Sequence, residues 1–504
     1  MTHACQLTEI AKQAFPDFIE FYRHFPHKYP FLLSTSSKKL YYSEKNKQES
    51  NFDILFIEPD YWLKMNNEYK LSCSNEKLNI NSDDLFLDAF DQLFLSENSH
   101  TSAVINSSSA AHELPFTGGW FVFFAYELAQ QIEPGLKLIC ENQLLPVAYA
   151  ARVKQALIFD HKQDKLFFLS EAGIDHASAC HSLLHDVQLI SESDIVKKSV
   201  PDWMSALEED DDLTFLSSVQ RVRDYIIEGD VFQVNLSRQW KTFSKNKNHV
   251  DHACSLAQIL NHENPAPFSG LASFDFDGSR STIISSSPER LLKVKDNKLE
   301  SRPIAGTRPR SKSHIEDMRL LGELHAHPKE QAEHIMLIDL IRNDLGRVCI
   351  PGSVVVDELM SNETYAHVHH IVSNVIGELY ADTTPGDVIK AIFPGGTITG
   401  CPKVRCMEII AELEQQSRGA YTGSMGYINR DGSMDLNILI RTMLLEDINE
   451  ELHKQTSEQF EQRYIEKLSF RAGSGLVFDS IAKKELQETR AKAKGLLRTL
   501  QSTD

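Results

Sequence analysis

The sequence predicts an α+β protein whose sheets are largely antiparallel. Its first 200 residues contain short β-rich runs separated by polar interruptions, and helices and strands mix irregularly in the rest of the 504-residue chain. A parallel sheet would instead require a regular β-α-β succession. Hydrophobic residues make up 41% and charged residues 24%, which is typical of a globular chain with a sizeable core.

The N-terminal part is predicted to be rich in strands, because β-branched and aromatic residues fill runs that Gly, Pro, Asn, Asp or Ser bound. These runs are 29–36, 52–59, 118–128, 152–160 and 164–171. The polar stretches 37–51 and 95–113 are predicted to be loops. The charged segment 191–212 contains Pro201 and ends in an acidic run, so we expect a linker there. We therefore predict an N-terminal domain over 1–200 and a second domain over 213–500.

The second domain is predicted to begin with an amphipathic helix and a strand, and to end with a long helix. Its predicted elements are a helix at 213–230, a strand at 231–240, two strands about an Asp-Asn turn at 281–307, a helix at 327–347, an apolar segment at 367–380, a glycine-rich loop and helix at 393–414, a hairpin at 421–445, a strand at 471–480 and a helix at 481–500.

Composition excludes several classes of protein. The net charge of −19 repels a phosphate backbone, so we do not expect nucleic-acid binding through a broad basic face. The eight cysteines form no CxxC pair and no zinc-binding spacing, which favours free thiols in a reducing compartment. Because the chain has neither a secretory signal nor an 18-residue apolar run, we expect a cytoplasmic protein.

Two pairs of glutamates are spaced to lie on one face of a helix: Glu330 with Glu333, and Glu485 with Glu488. Neighbouring carboxylates repel each other unless a cation lies between them, and oxygen ligands suit Mg²⁺. Taken alone, each pair is more simply a solvated helix face. The spacing gains weight only together with other features.

Two glycine-rich segments resemble phosphate-binding loops without completing the motif. GGTITGCPK (395–403) has the Gly-x4-Gly spacing, but Cys401 and Pro402 stand where Lys and Ser or Thr must follow. GSG (473–475) runs into a strand and not into a helix, so it is no dinucleotide fingerprint. Each segment either presents backbone N–H groups to a carboxylate or forms a tight turn.

One histidine and one arginine stand out by their surroundings. His370 precedes an apolar stretch, where a lone histidine is more often a packed structural residue than a base. Arg441 lies in the apolar run LNILIRTMLL, which we interpret as a strand. A guanidinium there needs a carboxylate partner from the protein or from a ligand, because burying it unpaired is costly.

Seven sequence blocks closely resemble the chorismate-binding enzymes, a family that includes the first components of anthranilate synthase and aminodeoxychorismate synthase and the isochorismate and salicylate synthases. The blocks are RPIAGTRPR (302–310), EHIMLIDLIRNDLGR (333–347), HHIVSNVIGEL (369–379), FPGGTITGCPKVRCMEII (393–410), GAYTGSMGY (419–427), IRT (440–442) and RAGSGLVFDS (471–480). The resemblance implies a composite sandwich of two large, mostly antiparallel sheets covered by helices. It also implies that 213–500 is the catalytic domain and 1–200 the accompanying domain.

The resemblance implies one Mg²⁺ that holds the ring carboxylate of chorismate. Glu333 and Glu488 match the family's metal ligands, and Glu330 and Glu485 match their acidic neighbours. His370 matches the general acid or base, and Arg441 and Tyr421 match groups on the substrate carboxylates. Further substrate-binding positions match the backbone of Gly473, Ser474 and Gly475, together with Thr307. Thr397 and Lys403 match positions beside the ring.

Position 305 bears on the choice of nucleophile. Many aminodeoxychorismate synthases have lysine there, in PIKGT, and that lysine is a proposed covalent nucleophile. The present chain has Ala305, as anthranilate synthases do. A methyl group neither attacks a carbon atom nor accepts a proton, so we expect ammonia itself to be the nucleophile.

Other positions favour aminodeoxychorismate synthase within the family. Asn235 in QVNLSRQW stands where anthranilate synthases usually read QVV, and LLSTS (32–36) lacks the LLES signature of tryptophan-inhibited enzymes. FDILFIEP (52–59) and FPGG (393–396) also resemble the aminodeoxychorismate branch. We therefore expect chorismate and ammonia to give 4-amino-4-deoxychorismate for folate synthesis.

Two alternatives stay open. Anthranilate synthase component I would convert the same substrate to anthranilate and pyruvate, and a non-enzymatic sensor or scaffold would bind chorismate without turnover. Because the chain has no glutaminase-type cysteine motif, we expect a separate glutamine amidotransferase subunit to supply the ammonia.

Overall fold

The computed structural model describes residues 5–12, 15–35, 51–99, 114–140, 144–193, 203–204, 207–326, 328–364, 368–448 and 465–501. Within these ranges, only the backbone is described for several positions, which include Ala305, Thr307 and Glu330. The predicted loop at 37–51 lies almost entirely outside the described residues.

Two large antiparallel sheets form the centre of the protein. The first sheet has twelve strands among the described residues, and eleven of them follow one another in the order β1 (Cys5–Ile10), β9 (Lys165–Glu171), β8 (Gln155–Asp160), β3 (Phe52–Ile57), β2 (Phe31–Ser34), β12 (Phe268–Phe276), β13 (Ser279–Ser287), β22 (Thr442–Asp447), β23 (Glu466–Leu476), β11 (Gln233–Ser244) and β10 (Glu208–Glu209). The short strand β19 (Gly400–Cys401) pairs with β11 at the end of this sheet.

The second sheet has eleven described strands. Ten of them run in the order β16 (Ile304–Pro309), β18 (Val368–Glu378), β15 (Lys298–Ser301), β14 (Arg290–Lys295), β21 (Met434–Asn437), β20 (Ser424–Asn429), β6 (Gly119–Phe124), β7 (Ala148–Val153), β4 (Tyr61–Met65) and β5 (Leu71–Cys73). The eleventh strand, β17 (Val355–Thr364), pairs with β18.

Helices cover the outer faces of both sheets. They are α1 (Phe18–His24), α2 (Phe86–Ser99), α3 (Ala129–Ile132), α4 (His176–Glu192), α5 (Asp212–Glu228), α6 (His249–Glu263), α7 (His314–Ala326), α8 (Pro328–Gly346), α9 (Pro385–Ile392), α10 (Lys403–Glu414) and α11 (Ala482–Gln501). Within the described ranges, no helix combines the length and the apolar character needed to cross a bilayer.

The core has three main layers of apolar contact. Between the two sheets, side chains of β2, β12 and β13 meet those of β6 and β7, and the rings of Phe31 and Phe121 stack with centroids 4.0 Å apart. On the other face of the first sheet lie α1, α4, α6 and α11, and on the other face of the second lie α2, α8 and α9. This four-layer arrangement confirms the predicted α+β sandwich.

Both sheets take strands from both halves of the sequence. In the first sheet, β2 pairs with β12 through Leu32 and Leu271, and in the second, β6 pairs with β20 through Phe121 and Tyr427. The predicted division into a β-rich N-terminal domain at 1–200 and a catalytic domain at 213–500 stays a prediction, and strands of both segments share both sheets. Because antiparallel pairing joins residues far apart in sequence, a change in local composition near residue 200 does not separate the sheets.

Many predicted elements are present with small shifts of their ends. The first predicted helix of the second half is α5, where Asp211 caps the N-terminus and Gly229 ends the helix with φ of 86°. The Asp-Asn turn joins β14 to β15, and the hairpin near 429–432 joins β20 to β21. The predicted loop at 95–113 is wrong over its first residues, because α2 extends to Ser99.

Candidate active site

The GSG segment ends strand β23 and packs closely against polar side chains. A Cβ atom on Gly473 would lie 2.6 Å from Asn235 Oδ1 and 2.7 Å from the Tyr421 hydroxyl oxygen. Any side chain at position 473 would therefore displace those groups. Burial raises the pKa of Tyr421 to about 12, so its hydroxyl stays protonated at neutral pH and can donate a hydrogen bond.

One carboxylate of each predicted acidic pair lies against this same strand. Gln233 Nε2 donates to Glu333 Oε1 over 2.7 Å, and a Cβ atom on Gly475 would lie 3.5 Å from that carboxylate oxygen. The Ser474 hydroxyl donates to Glu485, which is 8% exposed. Helices α8 and α11 therefore each bring a carboxylate to adjacent residues of β23.

Glu488 lies one turn beyond Glu485 and is exposed. Its carboxylate pairs with Lys492 Nζ at 2.9 Å. Glu330 lies one turn before Glu333 on α8, but its side chain is outside the described residues.

The donor set fits Mg²⁺ in its chemistry. Every candidate ligand is an oxygen atom, and Gln233 Oε1 is buried without a hydrogen-bond partner in the described chain, on the amide that contacts Glu333. An unpaired buried oxygen beside a carboxylate is a position where a hard cation or one of its water ligands can bind. Glu333 is thus a suitable ligand, Glu485 is hydrogen-bonded to Ser474 on the neighbouring residue of β23, and the role of Glu488 as a ligand stays a prediction.

His370 lies on β18 and is 3% exposed. Burial and, to a smaller extent, the nearby positive charge of Arg441 lower its pKa to about 4. Its Nδ1 lies 3.4 Å from the carbonyl oxygen of Gly306. The imidazole is therefore neutral at pH 7 and can accept a proton.

Arg441 lies between two strands. The sequence analysis placed it within a strand, and that prediction is wrong. Strand β21 ends at Asn437, β22 begins at Thr442, and Arg441 itself has φ of 52°. A left-handed conformation in a non-glycine residue costs of order 1 kcal/mol and is retained where the surroundings enforce it. The break in the strand turns this residue out of the ladder.

The guanidinium of Arg441 is poorly satisfied. Within the described chain, its one side-chain hydrogen bond is a 3.4 Å contact from Nη1 to Asn264 Oδ1. Burial lowers the pKa of this group, and the charge of Glu289 partly offsets that effect. A guanidinium with unused donors is suited to bind a carboxylate through two parallel hydrogen bonds.

Glu289 is a site residue that the sequence analysis missed. It is 6% exposed, and burial raises its pKa to about 7. Thr397 lies close enough to offset part of that rise, although Thr397 Oγ1 is buried and makes no hydrogen bond to any described residue. The signal in the sequence is a carboxylate that follows Pro288 between two apolar strands, which marks a charge forced into the interior.

Asn235 connects this group to the GSG segment. Its Nδ2 donates to the carbonyl oxygen of Thr397 over 3.4 Å, and its Oδ1 is buried without a partner in the described chain. Gln233 and Asn235 both lie on β11, two residues apart, so their side chains share one face of the sheet. That face is the floor below Gly473 and Gly475.

Lys403 is fully engaged by the protein. Its Nζ lies 2.5 Å from Asp344 Oδ2 and 3.0 Å from the carbonyl oxygen of Ile392. This pair joins the start of α10 to α8, which suits a structural role. Its predicted place beside the ring stays a prediction.

Ala305 and Thr307 lie on β16, where their backbones pair with Ile371 and His370 of β18. A shift of register between these two residues bends the strand at Gly306. The backbone of Ala305 therefore lies beside the strand that carries His370. The side chain of Ala305 is outside the described residues.

Together these residues line one polar face with distinct chemical abilities. Arg441 can bind an anion, neutral His370 can accept a proton, and Glu289 exchanges a proton near neutral pH. The acidic residues at β23 suit a divalent cation. Such a set can hold a dianion and move protons at a bond that breaks.

Comparison with known proteins agrees with this chemistry. The family model described as chorismate binding enzyme matches residues 37–498. The protein named "Anthranilate synthase component I-like protein" from Synechocystis sp. is 41% identical over 388 residues, which cover 77% of this chain and 74% of that protein. "Aminodeoxychorismate synthase component 1" from Bacillus subtilis is 38% identical over 404 residues, which cover 78% and 79%.

A solved structure supports the same assignment. The crystal structure of anthranilate synthase component I from Streptococcus pneumoniae has a TM-score of 0.69 and 30% sequence identity, over 90% of this chain and 93% of that one. The match of the family model exceeds half of the chain, and the fold is the same. The chain belongs to the chorismate-binding enzyme family.

Proposed function

We propose that this chorismate-utilising enzyme replaces the C4 hydroxyl of chorismate with an amino group. The products are 4-amino-4-deoxychorismate and water, and the nitrogen comes from ammonia. This activity would be a step toward p-aminobenzoate and folate.

Substrate binding is assigned to the groups that lack protein partners. Arg441 offers its free N–H donors to one carboxylate of chorismate. The protonated Tyr421 hydroxyl and the backbone at Gly473, Ser474 and Gly475 offer further donors on the opposite side. A dianion in a protein of net charge −19 needs such local donors, because the overall field repels it.

Mg²⁺, held by Glu333 and Glu488 with Glu330 and Glu485 beside them, would neutralise the ring carboxylate and draw electron density from the ring. Lys492, which pairs with Glu488, also lies close enough to Glu289 for its positive charge to lower the pKa of that carboxyl group.

Two groups divide the proton transfers. Glu289, with a pKa of about 7, donates a proton to the departing C4 hydroxyl, which leaves as water. Ammonia forms the new C–N bond, and neutral His370 takes the excess proton from nitrogen. Attack at C2 with loss of the C4 hydroxyl, followed by a second ammonia attack at C4 that expels the first nitrogen from C2 as ammonia, has the same overall balance, and Ala305 offers no competing nucleophile on this route.

The proposed product depends mainly on the environment of Asn235. Its amide oxygen is buried and unpaired in the described chain, beside Gly473 and Tyr421. An unpaired acceptor in the pocket favours a ligand that donates, such as ammonia or a hydroxyl group. Valine, which anthranilate synthases usually have there, offers no acceptor.

Anthranilate synthesis is the second candidate. Besides the Synechocystis protein, a second relative from that organism is named "Anthranilate synthase component 1" and is 38% identical over 417 residues. Such an enzyme would add ammonia at C2 and then eliminate pyruvate.

A product assay separates the two reactions. The full chain is incubated with chorismate, MgCl₂ and ¹⁵N-ammonium at pH 8.5, and the products are analysed by mass and by fluorescence. We expect ¹⁵N-labelled 4-amino-4-deoxychorismate and no release of pyruvate, and Glu333→Gln as negative control should abolish the product. Fluorescent anthranilate with an equal amount of pyruvate would contradict the proposal and establish the second candidate.

In the cell, we propose that a separate glutamine amidotransferase subunit supplies the ammonia. All eight cysteines are free thiols in the structure, which supports the proposed location in a reducing cytoplasm. Activity with glutamine should therefore require an added amidotransferase, whereas activity with ammonium salts should not.

A further inference from the structure

A second group of titratable side chains lies between α6 and the far ends of two strands. Asp447 ends β22 and Glu466 begins β23, while His249 and His252 lie on the first turn of α6. Glu466 and Gly475 are nine residues apart on one extended strand, so this cluster is about 30 Å from the candidate active site. We refer to these four residues as the His/carboxylate cluster.

The two carboxylates are direct cross-strand partners in the register of β22 and β23. Both are buried, with Asp447 9% and Glu466 0% exposed. Like charges directly opposite each other on a sheet destabilise it, and burial increases that repulsion. The fold therefore needs positive charge at this point.

The inner contacts of the cluster come from the two imidazoles. His249 Nδ1 lies 2.8 Å from Asp447 Oδ1, and His252 Nδ1 lies 2.6 Å from Glu466 Oε2. Each carboxylate therefore contacts one imidazole nitrogen, and the four side chains form one continuous group of contacts in the interior.

The outer atoms of the same side chains are held from outside the cluster. Thr282 Oγ1 lies 2.9 Å from His249 Nε2. The Arg280 backbone N–H donates to Asp447 Oδ2 over 3.1 Å, and the Asn248 N–H donates to Glu466 Oε1 over 2.9 Å. His249, Asp447 and Glu466 are thus each oriented by one atom and present the other atom inward, which is how outer contacts orient metal ligands in proteins.

The inward atoms are close enough to share one ion. One ligand atom from each of His249, Asp447 and Glu466 lies within 4.8 Å of the others. Ligands of a single Zn²⁺ with bonds of about 2.0–2.2 Å lie about 3–4 Å apart, so only a small contraction is needed.

We infer that the His/carboxylate cluster is a structural site for a divalent transition metal of the Zn²⁺ class. His249, Asp447 and Glu466 are its ligands, and His252 orients Glu466. One nitrogen and two carboxylate ligands select Zn²⁺ over Mg²⁺, which prefers oxygen ligands and retains its waters. The ion balances the two carboxylates and ties α6 to β22 and β23.

The test is metal binding by the full chain, not activity. Protein treated with EDTA is titrated with ZnSO₄ in the presence of 5 mM MgCl₂, and bound zinc is measured by calorimetry and elemental analysis. We expect one Zn²⁺ per chain and a rise in Tm. Affinity should fall at least about 100-fold in His249→Gln and in Glu466→Gln.

Matched variants locate the ion. His262→Gln, an exposed residue on the same helix, should bind zinc like the unaltered chain, and so should Glu333→Gln at the candidate active site. Co²⁺ in place of Zn²⁺ should give a visible absorption band that His249→Gln lacks. If the unaltered chain binds no stoichiometric zinc, or if His249→Gln and Glu466→Gln bind it equally well, the cluster is two histidine–carboxylate pairs and the inference is overturned.

Discussion

Two arginines of this protein, Arg152 in the interior and the partly buried Arg441, have opposite surroundings. Arg152, on β7, is 1% exposed and donates to the carboxylates of Glu97 and Glu171 and to two backbone carbonyl oxygens. Arg441, beside His370, makes one 3.4 Å hydrogen bond in the described chain. The protein itself supplies hydrogen-bond acceptors for the Arg152 guanidinium, whereas most N–H donors of Arg441 have no acceptor in the described chain.

The difference separates stabilising charge from functional charge. A buried guanidinium with all donors used holds strands and helix together, and removing it leaves two carboxylates unpaired. A buried guanidinium with unused donors costs folding free energy and is retained where a ligand completes it. Thr397 Oγ1 and Asn235 Oδ1, which are buried without a partner in the described chain, share this unsatisfied character with Arg441.

The same substitution at the two arginines should give opposite results. We expect Arg152→Met to lower the free energy of unfolding by about 3–5 kcal/mol, because Glu97 and Glu171 lose their partner in the interior. Chemical denaturation measures this loss. Arg319→Met, at an exposed ion pair on α7, should leave the unfolding midpoint nearly unchanged. An equally small effect at Arg152 would remove the basis of the comparison.

Arg441→Met should spare the fold and impair catalysis. We expect kcat/KM for chorismate to fall about 10²–10³-fold, since a truncated charge pair costs about 2–5 kcal/mol. The unfolding midpoint should stay the same or rise, because an unpaired guanidinium is removed. Arg441→Lys should recover part of the loss only, as lysine lacks the planar fork. Full activity in Arg441→Met would show that the free donors bind no substrate.

Glu289→Gln should reduce kcat by about 10²-fold, as expected when a general acid is lost. The variant should also change the pH dependence of stability. The folded-state pKa of about 7 exceeds the unfolded value of about 4.3, so the folded chain keeps a proton that the unfolded chain has lost. The stabilisation present below about pH 4 is lost as pH rises through 7.

Glu289→Gln lacks that titration. Relative to the unaltered chain, the variant should gain up to about 3 kcal/mol between pH 4 and pH 8. Denaturation at several pH values measures this gain. A constant difference between the two proteins across this range would contradict the raised pKa.

The smallest effects should come from two threonines of one loop. Thr397 Oγ1 is buried and unpaired among the described residues, whereas Thr399 Oγ1 donates to the carbonyl oxygen of Gly395 over 3.1 Å. Thr397→Val should leave stability unchanged and raise KM several-fold, while Thr399→Val should cost about 1 kcal/mol and leave KM unchanged. Thermal denaturation and steady-state kinetics distinguish the two, and the reverse pattern would contradict the assignment.

Local sequence patterns predicted much of the secondary structure. The helices predicted at 327–347 and 481–500 correspond to α8 and α11, and the hairpin at 429–432 is present. Helix α2 was missed, because no element was predicted at 86–94 and its polar last turn was predicted to be a loop. Arg441 was misplaced in a strand because its apolar neighbours continue the strand pattern, whereas the chain breaks there to release the side chain from the ladder.

The sequence by itself determined the α+β class, the acidic pairs on two helices and the resemblance to chorismate-binding enzymes. These features depend on residues close together in the chain, whose spacing sets local conformation and helix faces. Only the tertiary structure decided that both halves share both sheets, that Glu289 is buried beside Arg441, and that Asp447 pairs with Glu466. Strand order and the satisfaction of buried charges depend on contacts between distant residues, so no local pattern specifies them.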